Sequence, residues 1–276
     1  MKQHKPTSPA RRQMETIEWN KILTKTEPTK SLVSGFYRAR ARNSDGRITT
    51  RHKGGGAKRL WREIDFVYDK KDMPATVMSL EYDPNRTCFI ALVQYLDGAK
   101  RYVLASREMK VGSEILTSAT APVEVGNRMP LNRIPVGTMV FNVEIYSGHG
   151  GQIARSAGVG AVILAHEGGY TLLQMPSKEA RKIRIENWAS IGSLSNHEHN
   201  LMTGGNAGRS RHMGIRPTVR GSVMNPVDHP HGGGEGRTQR GRRRGPATPW
   251  GKPARGVKTR KAKKGSTKFI MSRRKK

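Results

Sequence analysis

The sequence predicts an all-β fold of two small barrels carried between two long basic extensions. Three observations point there: short strand-like runs at regular spacing, a near absence of helical periodicity, and a charge distribution that leaves only the middle of the chain neutral.

The strand signal comes first. Runs rich in β-branched and aromatic residues, bounded by turn residues, place strands near Thr76–Tyr82, Thr87–Leu96, Lys100–Ala105, Glu114–Thr117, Met139–Tyr146, Ala161–His166, Thr171–Met175 and Lys182–Ile185. Asp97-Gly98 between two runs signals a hairpin with a tight primed turn, because such turns need positive φ. Gly168-Gly169 marks a second hairpin. One helical turn is expected over Ser106–Lys110, with Ser106 as its cap. Many short strands with little helix suit small barrels, one over 63–122 and one over about 130–195. The segment Ala121 to Pro135, with Pro122, Gly126, Pro130 and Pro135, reads as their connection. The resulting organisation is a basic N-terminal extension (1–62), a first barrel (63–122), a second barrel (123–200) and a basic, glycine-rich C-terminal extension (201–276).

Charge sets the partner. The chain of 276 residues holds 51 Lys+Arg against 21 Asp+Glu, a net charge of +30. Residues 1–62 hold 16 and 4, residues 63–204 hold 14 and 15, and residues 205–276 hold 21 and 2. Such flanks repel themselves unless a polyanion is present, and nucleic acid is the usual one. A membrane is not expected as partner: no apolar run approaches the roughly 20 residues of a spanning helix, and no amphipathic basic helix of useful length is found. Met1 to Arg12 is basic without an apolar core, so it does not read as a secretory signal. The single cysteine, Cys88, next to Phe89 and Ile90, reads as a buried strand residue in a reducing compartment.

The C-terminal flank, residues 205–276, has 13 glycines and only two aromatics, Trp250 and Phe269. It buries too little apolar surface to offset its chain entropy, so alone it is expected to be disordered and to order against RNA.

Several motifs carry the chemistry. Arg47-Ile48-Thr49-Thr50-Arg51-His52-Lys53-Gly54-Gly55-Gly56-Ala57-Lys58-Arg59 reads as a glycine hinge between basic clusters. It is not a nucleotide-hydrolase phosphate loop, since no Gly-Lys-Ser/Thr follows at the required spacing. Arginine in such clusters suits bidentate phosphate contact and base stacking. His197 with His199, and His229 with His231, form His-x-His pairs, but a zinc site needs three or four ligands and Cys88 is remote. A histidine-based RNA hydrolase needs a pocket that the Pro/Gly surroundings of His229 do not promise. In Asn225-Pro226-Val227-Asp228-His229-Pro230-His231-Gly232-Gly233-Gly234-Glu235-Gly236, two prolines restrict the backbone before three glycines free it. Asp228 and Glu235 are the only acids in the C-terminal flank; Asp228 can orient a histidine, or either carboxylate can face a metal ion bound to RNA. Arg86, after Tyr82-Asp83-Pro84-Asn85, and Arg155, after Gly150-Gly151-Gln152-Ile153-Ala154, are expected at barrel rims.

These residues also carry a resemblance. Arg42-Asn43-Ser44-Asp45-Gly46-Arg47-Ile48-Thr49, Arg51-His52-Lys53-Gly54-Gly55-Gly56, Glu81-Tyr82-Asp83-Pro84-Asn85-Arg86, Ile134-Pro135-Val136-Gly137-Thr138, the run Gly214 to Gly236, and Thr248-Pro249-Trp250-Gly251-Lys252-Pro253 resemble the universal large-subunit ribosomal protein family conventionally numbered two, in its bacterial form. The resemblance implies that the first barrel is an OB-fold and the second an SH3-like barrel. It implies a primary rRNA-binding protein of the large ribosomal subunit that supports subunit association, tRNA binding and the peptidyl-transferase centre, and is not an enzyme. Its expected rRNA-binding residues are Arg47, Arg51, His52, Lys53, Lys58, Arg59, Arg86, Arg155, Arg209, Arg216, Arg220, Asn225, His229, His231 and Arg237. His229 matches the family histidine tied to peptidyl-transfer competence, in a supporting role beside catalytic RNA. The implied partners are large-subunit rRNA, neighbouring ribosomal proteins, the small subunit across an intersubunit bridge and, indirectly, tRNA. No intrinsic cofactor or metal is expected, only Mg ions bound by the surrounding rRNA. The implied location is the cytoplasmic ribosome, with an organellar ribosome as the alternative.

Overall fold

The structure is a computed structural model that describes residues 1–35, 40–235, 245–261 and 263–273. Strands dominate it. Contacts gather the described residues into two units, one drawn from Met1–Arg38, Lys58–Arg209 and Lys268–Lys276, the other from Ala39–Ala57 and Ser210–Thr267.

The larger unit holds both barrels. At its N-terminus, β1 (Lys2–Gln3) pairs with β2 (Glu15–Thr16), and β3 (Val33–Gly35) pairs with β4 (Leu60–Arg62). The first barrel, an OB-fold, is built on β5 (Ala75–Glu81), β6 (Ile90–Tyr95), β7 (Lys100–Leu104) and β8 (Glu114–Ile115), in the antiparallel order β7-β6-β5-β8. Val77, Phe89, Ala91, Val93, Val103 and Ile115 fill its core. Each large apolar side chain so buried contributes about 1.5–3 kcal/mol.

β6 shows no alternation: Ile90, Ala91, Leu92 and Val93 are all buried. A strand buried on both faces reads as a continuous apolar run. The second face is covered by the N-terminal segment, whose Leu32 packs with Ile64 on Ile90, Leu92 and Tyr102. Thr29 N–H donates to the Tyr102 hydroxyl at 2.8 Å, and that hydroxyl donates to Glu81 Oε2 at 2.6 Å. Part of the segment assigned to an extension by its charge therefore belongs to the barrel wall, because Ile17, Leu23 and Leu32 are hidden among its basic residues.

The second barrel, SH3-like, centres on a seven-stranded antiparallel sheet of β9 (Arg128–Pro130), β10 (Met139–Phe141), β13 (Ala161–Glu167), β14 (Tyr170–Gln174), β15 (Ala180–Arg184), β16 (Trp188–Ile191) and β17 (Ile270–Ser272). The hairpin β11 (Val143–Glu144) and β12 (Gly151–Ile153) completes it. Val140, Ile163, Leu173, Ile183 and Ile191 form its core. The two barrels touch through Cys88, Leu104, Phe141 and Leu194. Arg128 lies at the same junction, 1% exposed, paired with Glu144 at 3.0 Å and with its guanidinium 4.8 Å from the Tyr68 ring.

The structure corrects several local expectations. Ser106 starts no helix; it forms an isolated bridge with Leu194, and the tie to the second barrel replaces local helical bonding. Cys88 is buried but lies in a bend before β6, held by its Sγ contact to Arg155 O. The Asp97-Gly98 hairpin forms, yet Gly98 alone takes positive φ (80°), so the turn is a four-residue turn closed by Gly98 N–H to Tyr95 O and not a primed one. At Gly168-Gly169 both residues have positive φ, as a primed two-residue turn requires. The run Met139–Tyr146 is interrupted at Asn142, fully buried with φ 49°, which splits it into β10 and β11. The supposed connection contains β9, whose Arg128 disguises a fully buried strand position.

Candidate nucleic-acid interface

The turn after β5 builds one cationic surface in the larger unit. Asp83 is fully buried; its Oδ1 accepts from Asn85 N–H at 2.8 Å and its Oδ2 from Arg86 Nε at 2.6 Å. With Nε held there, the two Nη groups of Arg86 remain as a fork for phosphate. Its guanidinium lies 5.5 Å from the Phe66 ring and 5.8 Å from Trp61. Arg155 approaches the same Phe66 ring at 4.7 Å and donates from Nη1 to Gly151 O at 3.2 Å. Arg59 donates to Pro84 O at 2.6 Å, and Asn85 Nδ2 to Leu60 O at 2.7 Å, which locks the turn to β4. Arg86 and Arg155 thus share the Phe66 ring as an aromatic platform, with Arg59 tied to the same turn through Pro84 O and the Asp83 carboxylate buried beneath Arg86. Burial pushes the nearby Cys88 thiol up to about 11, with the Arg86 charge working against that rise.

The smaller unit brings the two basic flanks onto each other. Lys53 bridges Ile215, Gly54 N–H donates to Gly214 O at 2.7 Å, Ala57 N–H to His212 O at 2.8 Å, and Arg216 N–H to His52 O at 3.1 Å. Gly54 to Gly56 are therefore no hinge. A Cβ at Gly56, which has φ +65°, meets His212 O at 2.6 Å, so the close backbone approach demands glycine. His52 Nδ1 lies 3.0 Å from Pro217 O, and the Arg51 guanidinium sits 5.2 Å from the exposed Trp250 ring. Arg47 closes a turn in which its N–H donates to Asn43 Oδ1 at 2.8 Å. Arg47, Arg51, Lys53, Arg216 and Arg220 are all exposed.

The histidine loop lies in the same unit. Asn225 O accepts from Asp228 N–H at 3.0 Å and His229 N–H at 3.3 Å. His231 N–H donates to His229 Nδ1 at 3.0 Å, and Ala247 N–H donates to His231 Nε2 at 2.8 Å. An acceptor at Nδ1 fixes His229 as the tautomer that carries its proton on Nε2. A Cβ at Gly221 meets the His229 ring at 2.4 Å, so glycine there lets the ring seat. The two rings stand edge to face with centroids 4.9 Å apart.

The expected residues thus fall into two groups: Arg59, Arg86 and Arg155 in the larger unit, and Arg47, Arg51, His52, Lys53, Arg216, Arg220, Asn225, His229 and His231 in the smaller. Lys58 and Arg209 belong to the larger unit and are exposed, outside the aromatic platform. Arg237 lies outside the described residues. Sequence reasoning missed Trp61, Phe66 and Trp250 as the rings beneath the arginines; for Trp61, flanked by Lys58, Arg59 and Arg62, an aromatic in a basic run was an available signal, whereas Phe66 and Trp250 carry none of that kind. Among the described residues, no group of three or more His, Cys, Asp or Glu side chains is arranged to hold a metal ion. No helix of the described residues is long and apolar enough to cross a membrane.

Two small β-barrels with arginines laid over aromatic rings define an RNA-binding protein of the two-barrel class. Residues 29–117 match the family model for the RNA-binding N-terminal domain of Ribosomal Proteins L2, and residues 124–251 match the model for their C-terminal domain. The chain belongs to the ribosomal protein L2 family. It is accordingly an RNA-binding, structural protein of the large ribosomal subunit, located in a ribosome of the cytoplasm or of an organelle.

Proposed function

We propose that the chain is a primary rRNA-binding protein that organises the large subunit near its peptidyl-transferase centre, and supports subunit association and tRNA binding without catalysing a reaction itself. The stretches of the two basic segments, 1–62 and 201–276, that do not pack on or pair with the barrels act as arms that follow RNA. Neighbouring ribosomal proteins, the small subunit across a bridge, and tRNA reached through RNA are the further partners. No intrinsic cofactor is involved; Mg ions held by the rRNA neutralise what the arms leave. The ribosome is of the bacterial, cytoplasmic type.

The observation that carries this reading is the His229 loop. Its ring is half-buried, packed against Gly221, locked through Nδ1, and keeps Nε2–H as a donor to RNA in a surface rich in exposed arginine. A ring held in one orientation presents its Nε2–H to an RNA group from a fixed position. The test is subunit reconstitution with His229→Ala. Subunits are expected to sediment normally and to form peptide bonds more slowly; normal peptide-bond formation would remove the proposed role.

A further inference from the structure

We infer that Trp250 is a stacking platform for one unpaired nucleobase of the bound RNA, with Arg51 placed to meet the phosphate of the same nucleotide. The inference rests on the rRNA-binding reading above and adds to it a base contact made by a residue outside the arginine and histidine set.

Of the four tryptophans, Trp250 is the most exposed, at 74% against 43% for Trp61, while Trp19 and Trp188 are half-buried. It is nonetheless held in place, at the tip of a tight hairpin. Ala247 bridges Pro253, and Ala254 N–H donates to Pro246 O at 2.8 Å. Thr248 N–H donates to Lys252 O at 2.7 Å, and Gly251 N–H to Thr248 O at 2.9 Å. Pro249 presets the first position of the turn, and Gly251, with φ 75°, takes the left-handed position that closes a three-residue loop. The hairpin is tied in turn to the histidine loop, since Ala247 N–H donates to His231 Nε2 at 2.8 Å.

The tip of such a hairpin has no core of its own in which to bury an indole, so a large flat ring is fixed in the open. Tryptophan has few side-chain torsions to immobilise, and the Arg51 guanidinium, 5.2 Å from the ring centroid, restrains it further. Little ordering entropy remains to be lost when a partner arrives.

The surroundings select that partner. Residues 39–57 hold 5 Lys+Arg and 1 acid, and residues 210–267 hold 15 and 2. Arg51, on the ring, and Lys252, two positions along the chain, are both exposed. An apolar pocket on a protein would bury these cations beside the indole without a countercharge, and charged residues are depleted from the centre of protein interfaces. A nucleotide answers both features: its base offers a flat face to the indole, and its phosphate an anion to the guanidinium. The base must be unpaired, because a base inside a helix already has its faces stacked.

The experiment measures binding of the full chain to large-subunit rRNA free of other ribosomal proteins, for the unaltered chain and for Trp250→Phe, Trp250→Leu and Trp250→Ala. Thermal melts of all four should match, because the ring lies on the surface. Phe keeps a flat ring, so its affinity should stay within about threefold of the unaltered chain. Leu keeps apolar bulk without a flat face, and Ala removes both. Each should weaken binding by about fivefold to a hundredfold, the range of one base–aromatic stack. Binding of rRNA should also quench more tryptophan emission in the unaltered chain than in Trp250→Phe, in which the other three tryptophans are unchanged. Unaltered affinity in Trp250→Ala, or equal quenching in those two chains, would overturn the inference. Phe and Leu variants that bind alike would overturn it as well, since a stacked base tells them apart. Failure of the unaltered chain to bind rRNA would sink the parent reading, whatever the variants do.

Discussion

The guanidinium groups of Arg86 and Arg155 lie on the same aromatic ring, Phe66, at 5.5 and 4.7 Å. Two like charges on one ring are tolerable because the ring face is electron-rich and Asp83, fully buried, holds one of them by its Nε. The pair is 69 positions apart in sequence and comes from a turn of the first barrel and a loop of the second.

On the proposed rRNA-binding reading, both guanidinium groups meet RNA phosphates, so their loss should be felt mainly there. Arg86→Ala and Arg155→Ala are each expected to lower the salt slope of rRNA binding by about one, and Arg86→Lys should fail to restore affinity since an ammonium has no fork. Salt titration of filter binding checks this. An unchanged slope would assign both side chains to base contact or to folding.

Arg128 and Glu144 make a buried pair at the barrel junction, 1% and 2% exposed on their side chains. Burial holds the Arg128 guanidinium below its ordinary range, while Tyr68 and Glu144 act against that. Glu144→Gln leaves a buried cation without its countercharge and should cost about 3–5 kcal/mol in urea unfolding. The double change Arg128→Met with Glu144→Leu should recover most of that loss. Equal losses in the two variants would mean that packing of the junction, not charge, is what matters.

Gly221 is expected to matter through His229. With a Cβ 2.4 Å from that ring, Gly221→Ala must displace the histidine. Reconstituted subunits carrying it should show the same slowed peptide-bond formation as His229→Ala, with rRNA affinity within about twofold of the unaltered chain. Normal activity in Gly221→Ala would mean that the seat of the ring is not what the reaction senses.

Cys88 provides a pH-dependent readout. Its thiol is pushed from 9.0 up to about 11 by burial, so the folded chain keeps a proton that the unfolded chain releases. Its contribution to stability is full below about pH 9 and is lost as pH rises toward 11, on the order of 2 kcal/mol in all. Alkylation at pH 8 should therefore proceed only through unfolding, and Cys88→Ser should flatten the alkaline loss. Rapid alkylation of the native chain would show the thiol to be accessible.

Much of this fold was legible from local sequence. The hairpin at Gly168-Gly169 needs only two residues that accept positive φ, and both have it. The strand at Ala161 announces itself by its β-branched and aliphatic run, and that at Lys100 by Tyr102, Val103 and Leu104 after the Asp97-Gly98 turn. Other elements were hidden because a polar residue sat where only tertiary pairing makes it acceptable. Arg128 looked like part of a linker, and Glu144 and Tyr68 make it a core residue. Ser106 looked like a helix cap, but Leu194, far along the chain, claims its backbone. In the site, the arginines and histidines could be named from composition and motif, whereas Phe66 and Trp250 beneath them could not, since nothing local joins a ring to a guanidinium so distant in sequence.

The sequence by itself determined the class of partner and the all-β character, because net charge is additive along the chain and strand periodicity is local. The tertiary structure alone decided that the glycine-rich segment 52–57 pairs with 212–216, that the N-terminal segment walls the first barrel, and that His229 carries its proton on Nε2. Those are contacts between distant segments, and a contact of that kind is fixed by which surfaces remain to be buried and which polar groups remain unpaired once the local elements have formed.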